Sequence, residues 1–225
     1  MNYRDFQPEK TSRVREAIEW SITYSFNATD AKTPRVLLIG DSICNGYQGK
    51  VREKLADRAN VTFWASSKCV TDPDYFRELE FILDSGRFDF ISFNNGLHSL
   101  VTDIAEWDAA YSSAVRFIRA KKPEAKLLLT LSTSLNDPAK TARSKALNEI
   151  VKRVAAENKL EIIDLFTPTD SLDKDAEMSD VYHFKAPAID TQAAIIAETV
   201  DRVLGLSHGG NVQRSTETGA SGRQD

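Results

Sequence analysis

Cysteine and histidine are scarce in this chain, and the scarcity excludes whole classes of protein. Two cysteines, Cys44 and Cys69, cannot build a disulfide framework, so stability has to come from packing. Three histidines, with no cysteine or carboxylate at ligand spacing, leave no metal motif; no metal and no cofactor is expected. Long apolar runs are missing, none approaching the roughly 20 residues of a membrane span. The opening Met1-Asn2-Tyr3-Arg4-Asp5-Phe6 has no apolar stretch of the secretory kind. A cytoplasmic protein without a membrane partner is therefore expected, with secretion open if Met1 is a rebuilt mature start. Positive charge is not in excess either. With 29 basic against 33 acidic residues the net charge is −4, which argues against nucleic acid as a partner, since phosphate neutralisation needs a basic face. Oligomeric state has no signature.

What remains is the composition of a folded domain, 41% hydrophobic and 28% charged, in a chain long enough for one sizeable core. Short β-branched or aliphatic runs predict strands at Arg35–Gly40, Val61–Ala65, Phe88–Asn94, Ala125–Leu131 and Leu160–Phe166. Between them the apolar spacing predicts helices near Gly49–Arg58, Asp74–Leu83, Asp103–Ala120 and Pro138–Asn158, with a last one from about Pro187 to Leu206. Such alternation means βαβ units and a parallel sheet covered on both faces. The domain is expected to span residues 1–206, with residues 1–30 a docked N-terminal segment. Within that segment Val14, Ile18, Trp20 and Ile22 suggest a helix over Thr11–Tyr24. The polar stretch 207–225 is expected to be a disordered tail.

The chemistry-bearing pattern is Gly40-Asp41-Ser42 at the end of the first predicted strand, with Asp180-Val181-Tyr182-His183 far downstream. Open α/β sheets place their sites at the carboxyl ends of strands. A serine there becomes a nucleophile once a base takes its proton, and an imidazole does this near neutral pH. Asp180 would fix the tautomer of His183 and stabilise its charged form. Cys44, two positions past Ser42, reads as a small buried residue rather than a second nucleophile. The Gly46–Lys50 segment lacks phosphate-loop spacing. Trp20, Tyr24 and Trp107 could stack on a sugar, although isolated aromatics are more often packing residues.

In order and spacing, Gly40-Asp41-Ser42, Phe93-Asn94-Asn95-Gly96-Leu97-His98 and Asp180-x-x-His183 resemble the SGNH/GDSL hydrolases, in a branch with Asn-Asn-Gly-Leu-His after the third strand. The resemblance runs from about Trp20 to Leu206. It implies a flavodoxin-like three-layer α/β/α sandwich with a five-stranded parallel sheet, and ester hydrolysis by Ser42, His183 and Asp180 without a cofactor. It also implies an oxyanion hole, and here the sequence departs from the family. His98 stands where an asparagine is usual, with Asn94 and Asn95 nearby as amide donors. The glycine usual after the second strand is missing from Ala65-Ser66-Ser67-Lys68-Cys69, so the backbone N–H of Cys69, or next of Lys68, is expected to donate.

The resulting expectation is a serine esterase acting on small acyl esters, acetyl foremost, with a carbohydrate or other small hydroxylated molecule as the alcohol. An acyltransferase using the same residues is one alternative. A non-catalytic carbohydrate-binding module, left with a degenerate hole, is another.

Overall fold

Val36, Leu37, Leu38 and Ile39 are all shut off from solvent, yet they belong to two different cores. Leu37 and Ile39 join one apolar cluster, Val36 and Leu38 the other. Successive strand residues face opposite sides, so this division is what a sheet covered on both faces requires. The computed structural model describes residues 2–206. Six strands form one sheet: β1 (Ser21–Ser25), β2 (Arg35–Gly40), β3 (Asn60–Ser66), β4 (Phe90–Phe93), β5 (Lys126–Thr130) and β6 (Ile162–Ile163), in the order β1-β3-β2-β4-β5-β6. From β3 to β6 all pairings are parallel, giving the five expected strands. β1 is an addition and pairs antiparallel with β3.

Among the described residues seven α-helices complete the architecture: α1 (Ser42–Lys54), α2 (Pro73–Asp84), α3 (Ile104–Lys121), α4 (Pro138–Asn158), α5 (Phe166–Asp170), α6 (Lys174–Glu177) and α7 (Ala186–Leu204). Buried residues of α2, α3 and α4 fill the first cluster, and those of α1 and α7 fill the second. The result is a three-layer α/β/α sandwich.

Two expectations change. The N-terminal helix is not formed: Ser21–Ser25 is a strand, and Thr11–Trp20 before it is irregular. Pairing with β3 gives the backbone groups of that edge strand their partners, which a docked helix would leave open. Val14 and Ile18, two of the residues that suggested the docked helix, are 80% and 78% exposed. The first crossover helix starts at Ser42 rather than Gly49, because the Asp41 side chain accepts the Ile43 N–H and caps it at once. The expected tail, 207–225, lies outside the described residues.

Strand order reverses around β2: the chain leaves it for β3 on one side and returns to β4 on the other. Loops after β2 and β4 therefore diverge at their carboxyl ends and leave a crevice between them.

Candidate active site

Ser42 sits at the mouth of this crevice as the first residue of α1. Gly40 makes the sharp strand-to-helix turn possible, since a Cβ there would lie 2.6 Å from Cys44 Cβ. Asp41 is buried and ties two loops together, its second oxygen accepting the Leu97 N–H at 3.3 Å. His183 arrives from the other end of the chain. A tight turn, closed by the Met178–Phe184 bridge and the bond from Ser179 N to His183 O at 2.9 Å, brings Asp180 and His183 together.

The three side chains form one line. His183 Nδ1 lies 2.8 Å from Asp180 Oδ2, and His183 Nε2 lies 2.9 Å from Ser42 Oγ. Asp180 Oδ1 also accepts the backbone N–H groups of Tyr182 and His183 at 2.7 and 2.8 Å, which fixes the carboxylate beneath the ring. Burial alone would raise the Asp180 carboxyl; those hydrogen bonds outweigh it and hold the group below its ordinary value. An ionised Asp180 accepts the hydrogen bond from Nδ1–H, so Nε2 of the neutral ring presents its lone pair to the Ser42 hydroxyl. That arrangement can move a proton off the serine oxygen.

The cleft over Ser42 holds about 710 Å³ and is walled by four parts of the chain. Glu16 and Trp20 come from the N-terminal segment, Leu97 to Val101 from the loop after β4, Asp137 to Arg143 from the start of α4, and Tyr182 from the Asp180–His183 turn. Glu16, Lys140 and Arg143 were not legible as site residues. No local motif marks them, since they reach the cleft only through the fold.

The five residues expected as oxyanion donors behave differently from the line of three. Cys69 N donates to Asp72 Oδ2 at 2.9 Å, and Lys68 N to Ser66 Oγ at 3.1 Å. Asn94 Nδ2 bonds Thr130 O and Ser132 Oγ, and Asn95 Nδ2 bonds Lys68 O. His98 does line the cleft, but Glu16 Oε1 engages its Nδ1 at 2.6 Å and its Nε2 is shielded from solvent. The Asn94 and Asn95 amides are thus occupied in tying the loop after β4 to β5 and to the loop after β3, the Cys69 and Lys68 N–H groups serve acceptors close by in their own stretch of chain, and His98 Nε2 is covered. The backbone N–H of Ser42, in the first turn of α1, has no acceptor within its own helix. Trp107 is buried, stacked on Tyr111, and Tyr24 stacks on Phe26 at the β1 edge, so of the three singled-out aromatics only Trp20 reaches the cleft.

No protein-family model and no curated protein sequence matches the chain. Solved structures do. The acetyl xylan esterase AlAXEase superposes with a TM-score of 0.65 at 16% identity, over 74% of this chain and 99% of its own. The chain has the SGNH/GDSL hydrolase fold. Axe2, an acetylxylan esterase from Geobacillus stearothermophilus, shares it with a TM-score of 0.60 at 17% identity, over 77% of this chain and 95% of that one. A GDSL-like lipase from Bacteroides thetaiotaomicron does so with a TM-score of 0.62 at 14% identity, over 75% of this chain and 88% of that one. Within this SGNH/GDSL fold, Ser42 follows β2 at the crevice, and the Asp180–His183 turn immediately precedes α7.

Proposed function

We propose that the protein is a serine esterase that removes small acyl groups, acetyl foremost, from hydroxylated substrates such as acylated sugars. One observation carries the reading: the unbroken Asp180–His183–Ser42 line, opening on a cleft of substrate size. Ser42 Oγ attacks the ester carbonyl as His183 Nε2 takes its proton. The charged His183, steadied by Asp180, then returns the proton to the leaving alcohol, and the acyl group stays on Ser42. Water attacks the acyl-enzyme by the same route in reverse, releasing the acid and the free serine. The developing oxyanion is met first by the Ser42 N–H at the positive end of α1. His98 can join only if the ring shifts and is doubly protonated, because its Nδ1 proton already serves Glu16. The sugar preference draws on the acetyl xylan esterases that share the fold, and on Trp20, an aromatic face in the cleft wall.

The test is acetate release from acetylated xylo-oligosaccharides, comparing wild type with His183→Ala. Turnover by wild type, and its loss in the variant, supports the reading; equal turnover by both refutes it. A second reading, a binding module without turnover, is favoured by the engagement of the expected oxyanion donors. Binding of these sugars by wild type without acetate release would select it. Acyl transfer to an added alcohol in place of water would instead mark a transferase.

A further inference from the structure

Two cations line the cleft from α4, and they differ in one respect. Lys140 is answered: its Nζ lies 3.2 Å from Asp137 Oδ2 and 5.9 Å from the centre of the Tyr182 ring. Arg143 donates only to backbone carbonyls, Nε to Leu100 O at 3.0 Å and Nη2 to Thr102 O. Among the described residues it has no carboxylate partner. Those two contacts pin the plane of the guanidinium and leave the rest of its five N–H donors unspent. The carboxylates that share the cleft are already committed. Glu16 holds His98 Nδ1, while Asp137 holds Lys140 and caps α4 by accepting the Lys140 N–H at 2.9 Å.

We propose that Arg143 is a specificity-determining residue that reads an anionic group, a carboxylate, on the substrate away from the reacting ester. The inference rests on the esterase reading and deepens it to a substrate class: acyl esters that carry a negative charge. A guanidinium held flat by two carbonyls is ready for a paired N–H contact with a carboxylate and loses little freedom on making it. A partly buried cation without a counter-charge has also given up hydration that a substrate anion restores. The charge can sit on the alcohol half, as in an O-acetylated uronic acid, or on the acyl half, as in a succinyl half-ester.

Three esters separate these cases: a methyl O-acetyl-glucoside, the matching methyl O-acetyl-glucuronoside, and a methyl O-hemisuccinyl-glucoside. Wild type is expected to prefer one of the charged esters over the neutral one by about tenfold in kcat/KM. The preference should lie mainly in KM and shrink as salt is added. It should vanish in Arg143→Gln and survive in part in Arg143→Lys. Because Arg143 also braces the Leu100–Thr102 segment, the readout is the charged-to-neutral ratio within each variant. A loosened segment lowers all three rates together and leaves that ratio alone. Wild type without preference for either charged ester, or a ratio unchanged in Arg143→Gln, overturns the proposal. If none of the three is turned over, protection of Ser42 against a fluorophosphonate is compared for glucuronate, succinate and glucose. No greater protection by the anions then overturns it. Failure of the esterase reading is distinct, appearing as absence of fluorophosphonate labelling at Ser42.

Discussion

Arg13 and Asp72 form an ion pair whose side chains are both about 1% exposed, fastening the irregular N-terminal segment to the start of α2. The same guanidinium donates to Ser67 O at 2.7 Å, and Asp72 takes the Cys69 N–H. Burial pushes the Asp72 carboxyl above its ordinary value, with Arg13 opposing the rise. Removing the arginine leaves a buried carboxylate without its cation. Arg13→Ala is therefore expected to cost about 3–5 kcal/mol of stability, read from urea unfolding. Since Glu16 and Trp20 hang from this anchor, cleft activity should fall as well. A midpoint unchanged from wild type would mean that the segment is not held as described.

Asp180 gives a prediction in pH. Its carboxyl is depressed, burial being outweighed by the hydrogen bonds from His183 and two backbone amides. A depressed carboxylate contributes stability that is present above its unfolded value, about 3.9, and is lost as pH falls through the folded value. The melting-temperature gap between wild type and Asp180→Asn should hold steady from neutral pH down to about 5 and close below about 4. The gap will be small, because the side chain is half exposed. A gap that widens in acid would contradict the assignment. At neutral pH the same variant should lose most of its kcat while keeping its fold.

Gly96 meets the loop after β5 so closely that a Cβ there would lie 2.8 Å from Ser132 Cβ. Gly96→Ala should destabilise by about 1–3 kcal/mol through overpacking. Ser132→Gly should relieve much of that cost in the double variant, although alone it sacrifices the bond to Asn94. Strictly additive effects would show that the two residues do not press on each other.

Burial lifts the Cys44 thiol to about 12. At pH 8 in the folded protein it should therefore resist iodoacetamide, and react readily once the chain is unfolded. Rapid modification in the native state would reopen it as a nucleophile.

Local chemistry made much of the fold legible. Aliphatic runs at 35–40 and 126–130 can only be buried strands, and Pro138 with the cap at Asp137 marks the start of α4 to the residue. Ser42, Asp180 and His183 stood out as candidates because each lies beside a strand end or a turn with a distinctive residue order. The edge strand β1 was missed because its residues pair with β3, 41 or so positions on, while Val14, Ile18 and Ile22 happen to fall at helical spacing. The oxyanion candidates were less legible for a related reason. A sequence reveals which residues carry N–H groups, but not which acceptors the folded backbone brings to them, Asp72 in the same loop for Cys69 and Thr130 at the end of β5 for Asn94. Arg143 was invisible as a site residue until α4 was placed against the cleft.

The most direct measurement is the intact mass of the protein after exposure to a fluorophosphonate, with Ser42→Ala alongside and the adduct mapped to its peptide. A folded wild type that gains one adduct at Ser42, while the variant gains none, is the predicted result. A folded wild type that stays unlabelled, or a variant labelled equally, would contradict an activated Ser42 and with it the esterase.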